Sequence, residues 1–243
     1  MISDTEALPS ATVARLRPMD VSATLDAVLG RPPGDLLESV ADAARVGVAG
    51  HSFGGWTALR IAGATLDADA MAKECATSDS LVCDGWAEDP SPPSARDDRF
   101  VASLAQAPGG SDTMFAGSRD GFEDVTVPTM IQAGTADQLT PFDEEARAPY
   151  EGLPPPAWLL AVEDAGHFTF SDVCFLVEDL DIPVAEFEDG CGPDNIPYED
   201  AHALVNTFAT AFFQVHLAGV VDFESVLDPG EPPPTGITSF DAK

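Results

Sequence analysis

A chain of 243 residues is long enough for one domain of the larger sort, with ample material for a core. Its 42 acidic residues outnumber 11 basic ones, giving a formal charge of −31, and Lys73 and Lys243 are the only lysines. Such a surface repels nucleic acid and anionic membrane, no basic run offsets it, and no apolar run is long enough to span a bilayer. The carboxylates are scattered through most polar segments, which reads as a hydrated acidic surface eased by salt rather than an acidic binding face.

In chain order, residues 1–16 lack periodicity and read as irregular. A helix is expected to open at Arg17-Pro18-Met19-Asp20, because proline suits a first helical turn; Val21, Leu25, Val28 and Leu29 then share a face, and Gly30 and Pro32 stop it. Residues 34–44 read as a loop or a short helical turn. Val46 to Ala49 is a short apolar run with the character of a buried strand. It ends in Gly50-His51-Ser52-Phe53-Gly54, a G-x-S-x-G pattern, and a helical stretch from Trp56 to Leu66 starts at once. That strand–turn–helix setting is what the nucleophile-elbow motif requires, with Ser52 on a sharp turn and small residues at Gly50 and Gly54 to avoid collision with neighbouring backbone. An ordinary glycine-rich turn is the plainer alternative.

Residues 67–98, with Pro90, Pro92 and Pro93, read as a polar excursion over the surface. Phe100–Ala105, Val125–Ala133 and Trp158–Val162 are further strand candidates, and helix-forming residues at Glu144–Glu151 separate the last two. Strands alternating with helical or long crossover segments predict an α/β fold, a mostly parallel sheet flanked by helices, with chemistry gathered at the carboxyl ends of the strands. Residues 175–195 read as an acidic loop, and a strong amphipathic helix follows from Pro197 to Leu217, with Gly219 as its cap. A single domain over 1–221 followed by a mobile proline-rich tail over 222–243 is expected.

Cys75, Cys83, Cys174 and Cys191 match neither a zinc ribbon nor a redox C-x-x-C spacing. Of the possible pairings, Cys75–Cys83 with Cys174–Cys191 closes the shortest loops and suits an oxidising, secreted or periplasmic setting; four reduced thiols in a cytosolic protein is the alternative. No signal-peptide pattern is visible at the N-terminus.

A serine hydroxyl needs a base to take its proton, and the base needs an acid to fix its tautomer. Asp137 follows one strand candidate in Gly134-Thr135-Ala136-Asp137, and His167 follows the next in Ala165-Gly166-His167. Each alone is an ordinary turn residue. Together with Ser52 they stand in the order Ser…Asp…His, all just beyond strand ends. His51 is expected to point away from the nucleophile, and His202 and His216 are expected to be surface or packing residues of the C-terminal helix. No metal-ligand spacing appears. The Phe53 N–H, at the start of the helix, is placed to receive an oxyanion. Trp56, Phe53 and Phe168 either line an apolar acyl pocket or merely pack.

Gly50-His51-Ser52-Phe53-Gly54-Gly55, Val127-Pro128-Thr129 with Gly134-Thr135-Ala136-Asp137 and Thr140-Pro141, and Gly166-His167-Phe168 resemble bacterial serine esterases of the α/β-hydrolase superfamily. The branch they look most like holds platelet-activating-factor acetylhydrolases, dienelactone-hydrolase-like proteins and cutinase-type polyester hydrolases. The Arg17-Pro18-x-Asp20-Val21 and Phe168-Thr169-Phe170-Ser171-Asp172-x-Cys174 runs are similar to the first of these groups. The resemblance covers about residues 15–221. It implies an α/β-hydrolase-like fold, an acyl-enzyme on Ser52, a small or polymeric ester as substrate and no cofactor. In that family several strands precede the elbow strand, and a loop there gives the second oxyanion donor. Here only 45 residues precede it. The likeness therefore implies missing N-terminal strands, a missing second donor, a Met1 that is not the native start, and an elbow strand on an open sheet edge prone to self-association; a non-catalytic or weakly active truncated remnant is the alternative to a working esterase.

Overall fold

The computed structural model describes residues 10–36, 40–78, 83–88, 90–92, 94–109, 119–180, 183, 187–230 and 234–243. Its centre is a five-stranded sheet in the order β1-β2-β3-β4-β5, built from β1 (Val46–His51), β2 (Phe100–Gln106), β3 (Thr129–Gly134), β4 (Ala157–Val162) and β5 (Ile237–Ala242). The first four run parallel, and β5 closes the far edge antiparallel to β4. β1 is the opposite edge strand.

The pleat sends most of the apolar side chains into two cores, and a smaller third cluster holds Leu25, Val48, Ala58, Ile61 and Phe100. Ala105, Ile131, Ala133, Ala157 and Leu159 face a cluster completed by Trp56, Leu59, Met71, Trp86 and Phe122. Leu104, Met130, Trp158, Leu160 and Val162 face Ala201, Val205, Phe208 and Phe212 of the long C-terminal helix. Helices α1 (Ser10–Leu29), α2 (Phe53–Ala62), α3 (Ala68–Cys75) and α4 (Ala148–Gly152, after a π-helical turn at Asp143–Arg147) come before α5 (Val173–Asp179), a kinked turn α6 (Glu188–Cys191) and α7 (Tyr198–His216). Gly47 lets α7 close on β1, since a Cβ there would lie 2.7 Å from the Phe213 ring.

Four expectations need correction. The segment before Arg17 is helical from Ser10, so Pro18 lies inside α1 rather than at its start; Ala11 and Ala14 are buried, and the Ala11 amide donates to the Asp84 carbonyl. Small side chains carry that packing without the bulky stripe that periodicity detects. Residues 67–98 are more than an excursion, because α3 sends Met71 and the following turn sends Trp86 into the core; Pro93 lies outside the described residues. The 175–195 stretch carries α5 and α6.

The last concerns the tail. Residues 237–242 pair with β4 as the fifth strand, so the chain beyond 221 is part of the fold: a 3₁₀ turn at Val221–Val226 leads to Leu227, whose carbonyl accepts the Trp158 indole N–H at 3.0 Å. Ile237 is buried, and the Lys243 ammonium reaches the Tyr150 carbonyl at 2.6 Å. β5 sets Ile237 and Phe240 against the core on the α7 side, with polar residues between them, so it shows no continuous apolar run. Prolines 232 and 233 lie outside the described residues.

With few cations available, arginines join elements. Arg99 contacts Asp26 of α1 and, through its guanidinium at 2.5 Å, Asp97, which also accepts the Ser22 hydroxyl at 2.8 Å. Arg99 holds the Asp97 carboxyl down at about 2. Arg60 is enclosed at 1 % exposure and donates to the carbonyls of Ala64 and Pro92. Burial draws its guanidinium down to about 10.

Both disulfides are present, Cys75–Cys83 and Cys174–Cys191. Their sequence separations are 8 and 17 residues. Loop closure of that size predicts that removing either bridge costs about 2–3 kcal/mol, the longer loop slightly more. Urea unfolding of Cys75→Ala/Cys83→Ala and Cys174→Ala/Cys191→Ala checks this; unchanged midpoints for both contradict it.

Candidate active site

Three side chains meet at the carboxyl ends of β1, β3 and β4. Ser52 follows β1 with φ 57° and ψ −125°, a backbone state that non-glycine residues rarely occupy and that is held here by hydrogen bonds on both sides. Its amide donates to the Gln106 carbonyl at 2.9 Å, and its carbonyl accepts the Trp56 amide at 3.1 Å. The glycine requirement differs in part from expectation. A Cβ on Gly50 would lie 2.3 Å from the Gly54 backbone, but one on Gly54 would meet nothing within 4 Å. The second tight position is Gly55, whose Cβ would come within 3.1 Å of the Gln106 and Gly50 carbonyls.

His167 opens a 3₁₀ turn (His167–Phe170) after β4 and is 4 % exposed. Its Nε2 lies 2.8 Å from Ser52 Oγ, and its Nδ1 lies 3.0 Å from Asp137 Oδ2. Asp137 hangs from the turn after β3, where Gly134 allows close contact: a Cβ there would sit 2.0 Å from the Ala165 carbonyl oxygen. The carboxylate is enclosed, and three donors converge on it. The Thr140 amide reaches Oδ1 at 2.7 Å, while the Thr140 hydroxyl (2.7 Å) and the His167 ring reach Oδ2. An N–H on Nδ1 aimed at the carboxylate leaves Nε2 with a lone pair toward Ser52. Such a series can move a proton from the hydroxyl to the ring and hold the imidazolium that results.

Ser52, Asp137 and His167 are thus brought together as their order in the chain suggests. Phe53 heads α2, so its amide is one of the first-turn N–H groups without a helical acceptor. The other aromatic candidates separate. Trp56 is wholly enclosed in the core, whereas Phe53 and Phe168 are half-buried beside the site. The Phe53 ring lies against Trp56 and beneath the Arg17 guanidinium, and Phe168 packs edge-on against His167 and Phe187.

His51 corrects an expectation. It does not point away: its ring lies 4.8 Å from that of His167, and its Nε2–H donates to the His167 carbonyl at 2.9 Å. The turn after β4 reaches across to the end of β1, which brings the residue before the serine against the backbone of the base. His202 supports the same turn through the Thr169 carbonyl, at 3.0 Å. Two further residues went unforeseen. Thr140, quoted only in a motif, places its hydroxyl 3.0 Å from His167 Nδ1 as well as on Asp137. Asp189, in a stretch read as loop, accepts hydrogen bonds from the amides of Gln138, Leu139 and His167. Turn carboxylates are too common for sequence to single one out.

Among the described residues no group of three or more His, Cys, Asp or Glu side chains is arranged to hold a metal ion, and no helix is long and apolar enough to cross a membrane. No protein-family model matches the chain, and no curated protein matches its sequence.

Burial holds His51 below its ordinary value of 6.5. Folding therefore favours its neutral form; the associated stability is complete above 6.5 and declines as pH falls from there toward the lower folded value. His216, also depressed by burial, adds to the same acid loss. The stability lost between about pH 8 and about pH 5 should be smaller in His51→Gln than in the wild type, as read by urea midpoints; identical losses would contradict this. Thr140→Val, which keeps the volume but strips the hydroxyl from the enclosed carboxylate, should cost about 1–3 kcal/mol in the same measurement.

Proposed function

We propose that this chain is a serine carboxylic-ester hydrolase of the α/β-hydrolase kind, related to the bacterial esterases its motifs resemble. The observation that carries the reading is the continuous pair of contacts from Ser52 Oγ to His167 Nε2 (2.8 Å) and from His167 Nδ1 to Asp137 Oδ2 (3.0 Å). It is supported by the left-handed Ser52 backbone and by the parallel order of β1 to β4, which sets all three residues at one rim. Ser52 Oγ attacks the ester carbonyl while His167 Nε2 takes its proton, and the Phe53 N–H receives the developing oxyanion. Collapse breaks the carbon–oxygen bond to the alcohol, which leaves with the proton from His167. Water then attacks the acyl-serine, again giving its proton to His167; the acid departs, and Ser52 Oγ recovers the proton.

A net charge of −31 favours uncharged over anionic esters, because like charges lower the local substrate concentration. The two disulfides support a secreted or periplasmic setting. Short-chain p-nitrophenyl esters are the substrates to try, against peptide and thioester counterparts. Turnover should fall by about 10³-fold or more in Ser52→Ala and in His167→Ala. Equal hydrolysis by wild type and Ser52→Ala would overturn the proposal, and a strong preference for the peptide or thioester would move it to another class of triad hydrolase.

A further inference from the structure

We propose that Asp189 is a positioning residue for the triad, a single carboxylate that clamps the loop carrying Asp137 to the loop carrying His167. The inference rests on the esterase reading above. Its Oδ2 accepts the amides of Gln138 (3.0 Å) and Leu139 (2.9 Å), the two residues that follow Asp137. Its Oδ1 accepts the amide of His167 itself at 3.1 Å. The acid and the base come from turns after different strands, 30 residues apart in the chain. One side chain therefore holds the backbone at both ends of the His167–Asp137 hydrogen bond.

Asp189 is itself fixed. Two residues on, Cys191 is bonded to Cys174. Next to it, Gly190 has φ +125° and lies so close to the His167 turn that a Cβ would sit 2.5 Å from the Thr169 amide and 2.7 Å from that of Phe168. The Gly190 amide donates to Asn195 Oδ1, and its carbonyl accepts the Thr169 hydroxyl at 3.1 Å. The stapled segment is thus wedged under the His167 turn and presents the carboxylate from a rigid base. Misplacing a reacting group by about 1 Å costs about 10² in rate, which gives the clamp a kinetic consequence beyond stability.

Asp189→Asn tests this, because a carboxamide keeps the size but has one acceptor oxygen and a donor NH₂, so one of the two loops loses its anchor. With a short-chain p-nitrophenyl ester, kcat should fall about tenfold to a hundredfold with KM changed less than about twofold. The downfield proton resonance of the His167–Asp137 hydrogen bond should broaden or vanish, and Asp189→Glu, with both oxygens retained, should recover part of each loss. A lowered unfolding temperature with unchanged kcat and an unchanged resonance would leave Asp189 a merely structural residue and overturn the clamp. A wild type without Ser52-dependent turnover would instead sink the esterase reading. The resonance then still decides the clamp, since an unaltered signal in Asp189→Asn overturns it and a lost one upholds it.

Discussion

The hydrogen bond between His167 and Asp137 is the contact on which the arrangement of the whole carboxyl rim depends. An enclosed carboxylate is costly unless its lone pairs are filled, and removing one partner of such a site is worse than never having built it. Around Asp137 that requirement is met from several directions: Thr140 by amide and hydroxyl, the imidazole from the turn after β4, and a backbone approach at Gly134 that no side chain would permit. The parallel sheet supplies the geometry. Strands β1, β3 and β4 end at one rim, so short turns suffice to bring their first residues into contact.

A second constraint comes from charge. With 11 basic residues against 42 acidic ones, the chain cannot neutralise its surface. Several of its arginines do interior or bridging work: Arg99 between α1 and the start of β2, Arg60 under the segment at Pro92, and Arg96 from Asp98 to the Asp124 carbonyl and Thr126. Spread carboxylates on the outside fit a protein whose self-repulsion is relieved by salt, which screens the exposed Arg96 and Arg99 pairs as well but not the enclosed contacts of Arg60.

Much of the rim was legible in the sequence because strand ends and glycine turns leave strong local signals. Val46–Ala49 before Gly50, the Gly134–Asp137 turn and the Ala165–His167 turn each mark a place where a strand stops and a side chain is presented. What was missed depends on long-range contact. Nothing in residues 188–190 says that a carboxylate there will bridge two distant turns, and nothing in His51 says that it will rest on the His167 backbone. β5 and the first turns of α1 escaped for a different reason. β5 is held by pairing along β4 and by two separated side chains, Ile237 and Phe240, and the start of α1 by alanines against the core; neither produces an apolar period.

The central claim is that Ser52 is a nucleophile activated by His167. Intact-mass spectrometry of the folded chain after exposure to a serine-reactive organophosphonate tests it most directly. The account predicts one adduct per chain, located on Ser52 and abolished in a folded His167→Ala variant. A folded wild type that stays unlabelled, or an adduct that forms equally well without His167, would contradict it.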